Sequence, residues 1–445
     1  MLKNITPLVL LIAIISVISG CAQNTNYRTE IKLEQACNYV KAGDCAQAAI
    51  QYSQKGTDKE YHLGFVEFDD QGQLRKRPQL ENVLDYFYPI AGKQDVLLVS
   101  FVHGWHHSAR PGDNNVMKFR ELLANLAEAE AMNSRKHGHS PRKVLGMYVG
   151  WRGDSITIPW VNGITFWDRK NTAHNVGSQG VAEVFLKLEE IVNVRMGMAD
   201  EGSKDQHNSR LVILGHSFGG AVAFTALQQI LTDRFIDSRA KKTFQGNANG
   251  FGDLVVLLNP AFEAMRFASL YDLSQLGCRR YFPTQLPKLA ILTSEADRAT
   301  SMAFPAGRFF STMFEKHGTL ERHYCSEKGE QAMLLDEGEA DRTTVGHFET
   351  FRTHQLLPLP QAIARTADFD FQLLQQNWAK QKPAASLLFE ATELQHLDRT
   401  RPLNPYLNIY VDETLIGDHN DIWGDEIISF VRDLIMISTM PQMDQ

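Results

Sequence analysis

Three short segments of the chain carry residue types that could act together as a nucleophile, an acid and a base. The first is Gly215-His216-Ser217-Phe218-Gly219, which follows the apolar run Leu211–Leu214 and opens the helix-like stretch Phe218–Asp233. A serine hydroxyl attacks a carbonyl well only when a base takes its proton. A tight strand-to-helix turn lifts the hydroxyl clear of a sheet and sets helix N–H groups beside it. Gly215 and Gly219 suit that turn, because a Cβ at either place would collide with the adjoining strand or helix. The second segment, Ser294-Glu295-Ala296-Asp297-Arg298-Ala299-Thr300, follows the apolar run Leu289–Thr293. Glu295 and Asp297 are both placed to orient an imidazole; Asp297 is preferred as the one further into the loop, with Glu295 as the alternative acid. The third, Gly417-Asp418-His419-Asn420-Asp421, lies between the run Tyr406–Val411 and the helical stripe of Asp425–Thr439. With 15 histidines in the chain, position matters more than identity. His347, His354 and His396 read as surface or packing residues. Asp418 and Asp421 are too near His419 in sequence to reach back to it with good geometry.

These segments need a scaffold that brings the ends of several strands together. From residue 95 onward the chain alternates short apolar runs with helical stretches. The runs are Val96–Val102, Val144–Val149, Leu211–Leu214, Leu254–Leu258, Leu289–Thr293 and Tyr406–Val411. Helix candidates between them are Val116–Met132, Val176–Val194 and Phe218–Asp233, with Asp425–Thr439 closing the chain. Nearly continuous apolar strands suit a parallel sheet covered on both faces, which predicts an α/β fold. Upstream, residues 30–55 read as helical with a break at Gly43. Residues 61–77 read as a hairpin around Asp69-Asp70-Gln71-Gly72. The expectation is a mostly parallel central sheet of about eight strands with helices on both faces. Residues 155–174 and 298–400 exceed simple connections and are candidates for a lid or cap.

The strand–Ser217–helix turn, an acid after a later strand and a histidine before the last helix resemble the α/β-hydrolase superfamily of serine esterases and lipases. The resemblance runs from about Tyr61 to Phe430, apart from much of 298–400, and Asp297-Arg298-Ala299-Thr300 resembles the acid segment of such hydrolases. It implies the α/β-hydrolase fold, with the large insertion between the acid and histidine strands, and a Ser217–His419–Asp297 triad. It also assigns an oxyanion hole to the N–H groups of Trp105 and Phe218, because Val96–Val102 runs into His103-Gly104-Trp105. The single glycine there departs from the H-G-G-G form. His103, His106 and His107 invite a metal reading; packing is preferred for His103 and a site-lining place for His106 or His107. The implied chemistry is two-step acyl transfer on a small-molecule or lipid ester, with no metal and no organic cofactor. An amide or thioester hydrolase with the same triad, or a non-catalytic lipoprotein that binds a partner, are the alternatives.

The first residues carry an address. Lys3, an apolar run from Leu8 to Ile18 and Ser19-Gly20-Cys21 describe an export signal. The run is shorter than the ~20 residues that span a bilayer. Ile18-Ser19-Gly20-Cys21 resembles the bacterial lipobox, which implies a signal at 1–20, a lipidated Cys21 and anchorage at a membrane, with Ala22 favouring the outer one. Residues 21–58 then form a tether and helical extension, and 59–440 one elaborated hydrolase domain. Export also permits disulfides. Of three possible pairings, Cys37–Cys45 and Cys278–Cys325 are the most local. The 445 residues are 43% hydrophobic and 22% charged with net charge −7, which excludes a disordered chain and the basic footprint of a nucleic-acid binder.

Overall fold

The uninterrupted apolar runs become the buried middle of one sheet. The computed structural model describes residues 25–31, 36–41, 43–153, 162–198, 207–238, 245–312, 315–359 and 369–441. Cys21 and the leader therefore lie outside the described residues, as do 155–161 of the first lid candidate and 360–368 of the long insertion.

In chain order the strands are β1 (Cys37–Asn38), β2 (Ile50–Ser53), β3 (Tyr61–Glu67), β4 (Val96–Val102), β5 (Lys143–Gly150), β6 (Arg210–His216) and β7 (Leu254–Leu258). There follow β8 (Leu289–Ser294), β9 (Thr319–Ser326), β10 (Gly329–Asp336), β11 (His354–Pro358), β12 (Ser386–Leu388), β13 (Thr392–His396) and β14 (Tyr406–Val411). Twelve of them form one sheet in the order β1-β2-β3-β5-β4-β6-β7-β8-β14-β11-β13-β12, and β9 and β10 pair as a separate hairpin. From β3 across to β11 every neighbouring pair is parallel. Every residue of β4, β7 and β8 is buried, the condition that selects continuous Val, Leu and Ile over alternation. The principal helices are α1 (Arg77–Lys93), α2 (Asn114–His137), α3 (Asn162–Ser178), α4 (Gly180–Val192), α5 (Phe218–Asp237), α6 (Ala264–Gln275), α7 (Phe304–Thr312), α8 (Phe371–Ala379) and α9 (Asp425–Thr439). This is a mixed α/β architecture built on a large, mostly parallel sheet.

Four expectations are corrected. The sheet has twelve strands rather than about eight, because β1 and β2 extend one edge while β11, β13 and β12, all from inside 298–400, extend the other. The described part of residues 30–55 is not helical. Ile50–Ser53 pairs antiparallel with Tyr61–Gly64, and this sheet contact overrides the local helical pattern. The hairpin after β3 shrinks to one bridge, Phe68 to Leu74. Its turn is real, with Asp69 Oδ1 accepting from the Gln71 and Gln73 N–H groups at 2.9 Å. The returning strand is cut short because Arg77-Pro78 starts α1, where proline is at home. Finally, residues 27–28 do not belong to a free tether. Arg28 is buried over the Phe65 ring, and its guanidinium donates to the Ala109 and Ala46 carbonyls at 2.9 and 2.8 Å. The cysteines pair as Cys37–Cys45 and Cys278–Cys325.

Candidate active site

Ser217 stands where β6 ends and α5 begins, at φ 55° and ψ −123°. A non-glycine residue there is strained, and such strain persists only where the surroundings enforce it. The enforcement is close packing. A Cβ on Gly219 would lie 2.2 Å from the Val102 carbonyl oxygen at the end of β4, and one on Gly215 would lie 2.8 Å from the Gly219 oxygen. Gly104, just past β4, is as close: its Cβ would fall 2.9 Å from Ser217 Cβ. The backbone on either side is tied to β7, with Ser217 N–H donating to the Leu258 carbonyl at 2.9 Å and Ala261 N–H to the Ser217 carbonyl at 3.1 Å.

The loops after β14 and β8 bring the other two residues to this turn. Ser217 O–H meets His419 Nε2 at 2.7 Å, and His419 Nδ1–H donates to Asp297 Oδ2 at 2.8 Å. Asp297 is fully buried while Glu295 is exposed. Burial alone would raise the Asp297 carboxyl, but donors from His419 and Thr300 hold it below its ordinary 3.8. Asp418 accepts from the Asn420 and Asp421 N–H groups, and Asp421 from that of Gly417, so both carboxylates shape the loop that carries His419. Trp105 follows Gly104 directly, and its ring stands edge-on to Phe218 with centroids 6.3 Å apart.

Three neighbours, His216, Asn259 and Thr300, have no role assigned from the sequence, and a fourth, His347, reads there only as a surface or packing residue. The His419 carbonyl accepts from His216 Nε2–H and from Asn259 Nδ2–H, both at 3.0 Å. Burial, with His419 alongside, brings the His216 imidazole down to about 3, so it is neutral at physiological pH and fixed as the Nε2–H tautomer by that carbonyl. Asn259 also accepts the Ser294 N–H at 2.9 Å, tying β7, β8 and the His419 loop together. Its polar side chain at the end of the apolar run Leu254–Leu258 was the available signal. Thr300 and His347 stand behind Asp297, Thr300 against its carboxylate and His347 against the Thr300 hydroxyl. The earlier histidines separate by role. His103 stacks on Trp151 with centroids 5.6 Å apart and accepts the Trp151 N–H at 3.1 Å, which is packing. His106 stacks on Trp105 at 4.1 Å, while His107 turns away to Asp113, the N-cap of α2. His354 and His396 pack edge to face between β11 and β13.

A buried ionic hub joins this end of the sheet to the helices around it. Glu263 accepts from Lys170 on α3, from Arg266 on α6 at 3.0 Å and lies 3.3 Å from Arg308 on α7. Burial would raise the Glu263 carboxyl, but Lys170 and Arg266 bring it down to about 2. Its contribution is therefore present above the ordinary 4.5 and fades as pH falls toward about 2. Glu263→Gln removes the carboxylate charge from beside the buried Lys170 ammonium and is expected to cost about 3–5 kcal/mol in urea unfolding at pH 7. The same comparison at pH 3 should give a smaller difference; an equal cost at both pH values would contradict the ionic account.

No family model and no curated protein matches the chain. Among solved structures, it is similar to a YdeN-like hydrolase from Pectobacterium atrosepticum, at 14% identity over 51% of this chain and 76% of that one. The TM-score is 0.15.

Proposed function

We propose that the protein is a serine hydrolase of the α/β-hydrolase type that cleaves carboxylic esters through an acyl-enzyme. One observation carries the reading: the unbroken chain of hydrogen bonds from Ser217 through His419 to Asp297, starting at a serine held in a strained strand-to-helix turn. His419 Nε2 takes the Ser217 proton as Oγ attacks the ester carbonyl carbon. The N–H groups of Trp105 and Phe218 receive the oxyanion. Collapse breaks the C–O bond, and His419 gives its proton to the leaving alkoxide. Water then repeats the sequence on the acyl group, releasing the acid and restoring Ser217. Asp297 keeps Nδ1 protonated throughout and stabilises the imidazolium. The direct test is covalent labelling of the purified protein by a fluorophosphonate, with the adduct mapped to Ser217. A folded parent that takes no label overturns the reading and leaves the non-catalytic, partner-binding alternative. A series of p-nitrophenyl esters of increasing acyl length then separates esterase from lipase.

We also propose that Cys21 carries a lipid anchor that holds this site at a membrane surface, a reading supported by the Ile18-Ser19-Gly20-Cys21 sequence. The full-length protein expressed in bacteria should incorporate labelled palmitate, and Cys21→Ser should abolish that incorporation. Equal incorporation by the variant would remove the anchor from the account.

A further inference from the structure

Resting on the serine-hydrolase reading, we propose that Thr300 and His347 are positioning residues that lock the triad carboxylate from behind, so that the insertion between the acid and histidine strands takes part in setting the geometry of the triad. The argument begins with donors and acceptors. Asp297 Oδ1 accepts the Thr300 N–H at 3.1 Å, and Oδ2 accepts both His419 Nδ1–H at 2.8 Å and the Thr300 hydroxyl at 2.5 Å. A threonine hydroxyl has one proton, and here it is committed to the carboxylate. His347 Nε2 lies 3.0 Å from the same Thr300 oxygen and must therefore be the donor. The chain of hydrogen bonds thus runs from His347 to Thr300 to Asp297, where it meets the one from Ser217 and His419. Burial brings the His347 imidazole down to about 4, so a neutral Nε2–H tautomer fits this role across the physiological range.

The segment that presents His347 is firmly held. Thr344 Oγ1 donates to the Thr300 carbonyl at 3.3 Å, Val345 N–H donates to the Phe262 carbonyl at 3.1 Å, and Asn408 Nδ2 donates to the Val345 carbonyl at 2.9 Å. Gly346 lies against β8 so tightly that a Cβ would fall 1.9 Å from Thr293 Oγ1. The charged and titratable groups around the relay are few. Arg352 donates to the His347 carbonyl at 3.1 Å and lies over the Tyr410 ring, which stands edge-on to His347. Glu295 acts on Tyr410 from beyond. On the far side stand His419, then His216 and His107.

The test compares Thr300→Val, Thr300→Ser, His347→Phe and His347→Gln by kcat, KM and the pH profile of kcat/KM on a p-nitrophenyl ester. Thr300→Val should lower kcat about 10- to 100-fold at nearly constant KM, the loss of one charge-assisted hydrogen bond. A carboxylate with one donor fewer holds a proton on His419 more tightly. The acidic limb of kcat/KM should therefore move up by roughly half a unit. Thr300→Ser should restore both. His347→Phe should shift the limb in the same direction by less, and His347→Gln, which keeps an N–H donor, should recover it. An unshifted limb in Thr300→Val and His347→Phe with kcat within about twofold of the parent would overturn the proposal. If Thr300→Val does not fold, the His347 pair decides alone. The far-downfield proton resonance of His419 Nδ1–H supplies a readout without turnover. It should move in both donor-deleted variants. Movement of this resonance in the donor-deleted variants of a parent that neither labels nor turns over would sustain the relay and sink the hydrolase reading, whereas an active parent whose variants leave the resonance unmoved would sink the relay alone.

Discussion

Ser217→Ala is expected to lower kcat on a p-nitrophenyl ester by about a million-fold while leaving KM near the parent value, and to abolish fluorophosphonate labelling. The size follows from what the hydroxyl does. On the proposed serine-hydrolase reading it is the attacking atom, lying 2.7 Å from His419 Nε2, the base that would take its proton, and alanine has no such atom. A residual rate of about 10³-fold over water should remain, because donors around the oxyanion still favour attack by solvent. His419→Ala should cost about as much, and the double variant scarcely more, since the two residues act as one unit. Additive losses would mean that serine and histidine work independently. A thermodynamic counterpart should accompany the kinetic one. Ser217→Gly relieves a φ of 55° that only close packing enforces, so it should melt above Ser217→Ala, the difference being about 1–3 kcal/mol. Equal melting temperatures would deny that the turn stores strain.

How legible this site was depends on how local its determinants are. β4 and β7 match the apolar runs residue for residue, because strands buried on both faces must be apolar throughout. Ser217 announces itself through glycines whose missing side chains are required by contacts within a few residues of the turn and with the end of β4. His419 and Asp297 were placed by the order of strands, a weaker but still linear signal. The edges of the sheet were harder. Ile50–Ser53 is only four residues long, too short for its alternation to outweigh the helical pattern read across 30–55, and its pairing with Tyr61–Gly64 makes it a strand. Arg28 reads as a tether residue because its partners are carbonyls at Ala46 and Ala109, which no pattern of residue types reveals. Thr300 could have been read, since a threonine three residues after an acid can place its own N–H and hydroxyl on that acid. His347 could not. It reaches Thr300 only because the insertion folds back under β8, and a histidine in an insertion looks the same whether it packs, caps or positions.

Asp297→Asn should reduce kcat by about 10⁴-fold, whereas Glu295→Gln should leave it within about twofold. The geometry explains why an isosteric change is so costly. Oδ1 of the carboxylate faces an N–H donor, that of Thr300, so the amide nitrogen of an asparagine cannot occupy that side without opposing another donor. The amide must turn its oxygen to Thr300 N–H and its NH₂ toward His419. Facing a donor, His419 Nδ1 has to present its lone pair, and the proton moves to Nε2. That is the atom which must accept from Ser217, so the base is present and in place but wrongly protonated. The thermal stability of the variant should stay close to that of the parent, because the Thr300 hydroxyl can rotate to accept from the new amide. Glu295 lies on the exposed side of the same loop, where its backbone N–H ties to the Val411 carbonyl at 2.9 Å and its side chain is left to solvent. A large loss in Glu295→Gln with a mild one in Asp297→Asn would reverse the assignment of the acid. Equal mild losses in both would mean that the imidazole is held by its clamped carbonyl, through His216 and Asn259, rather than by a carboxylate.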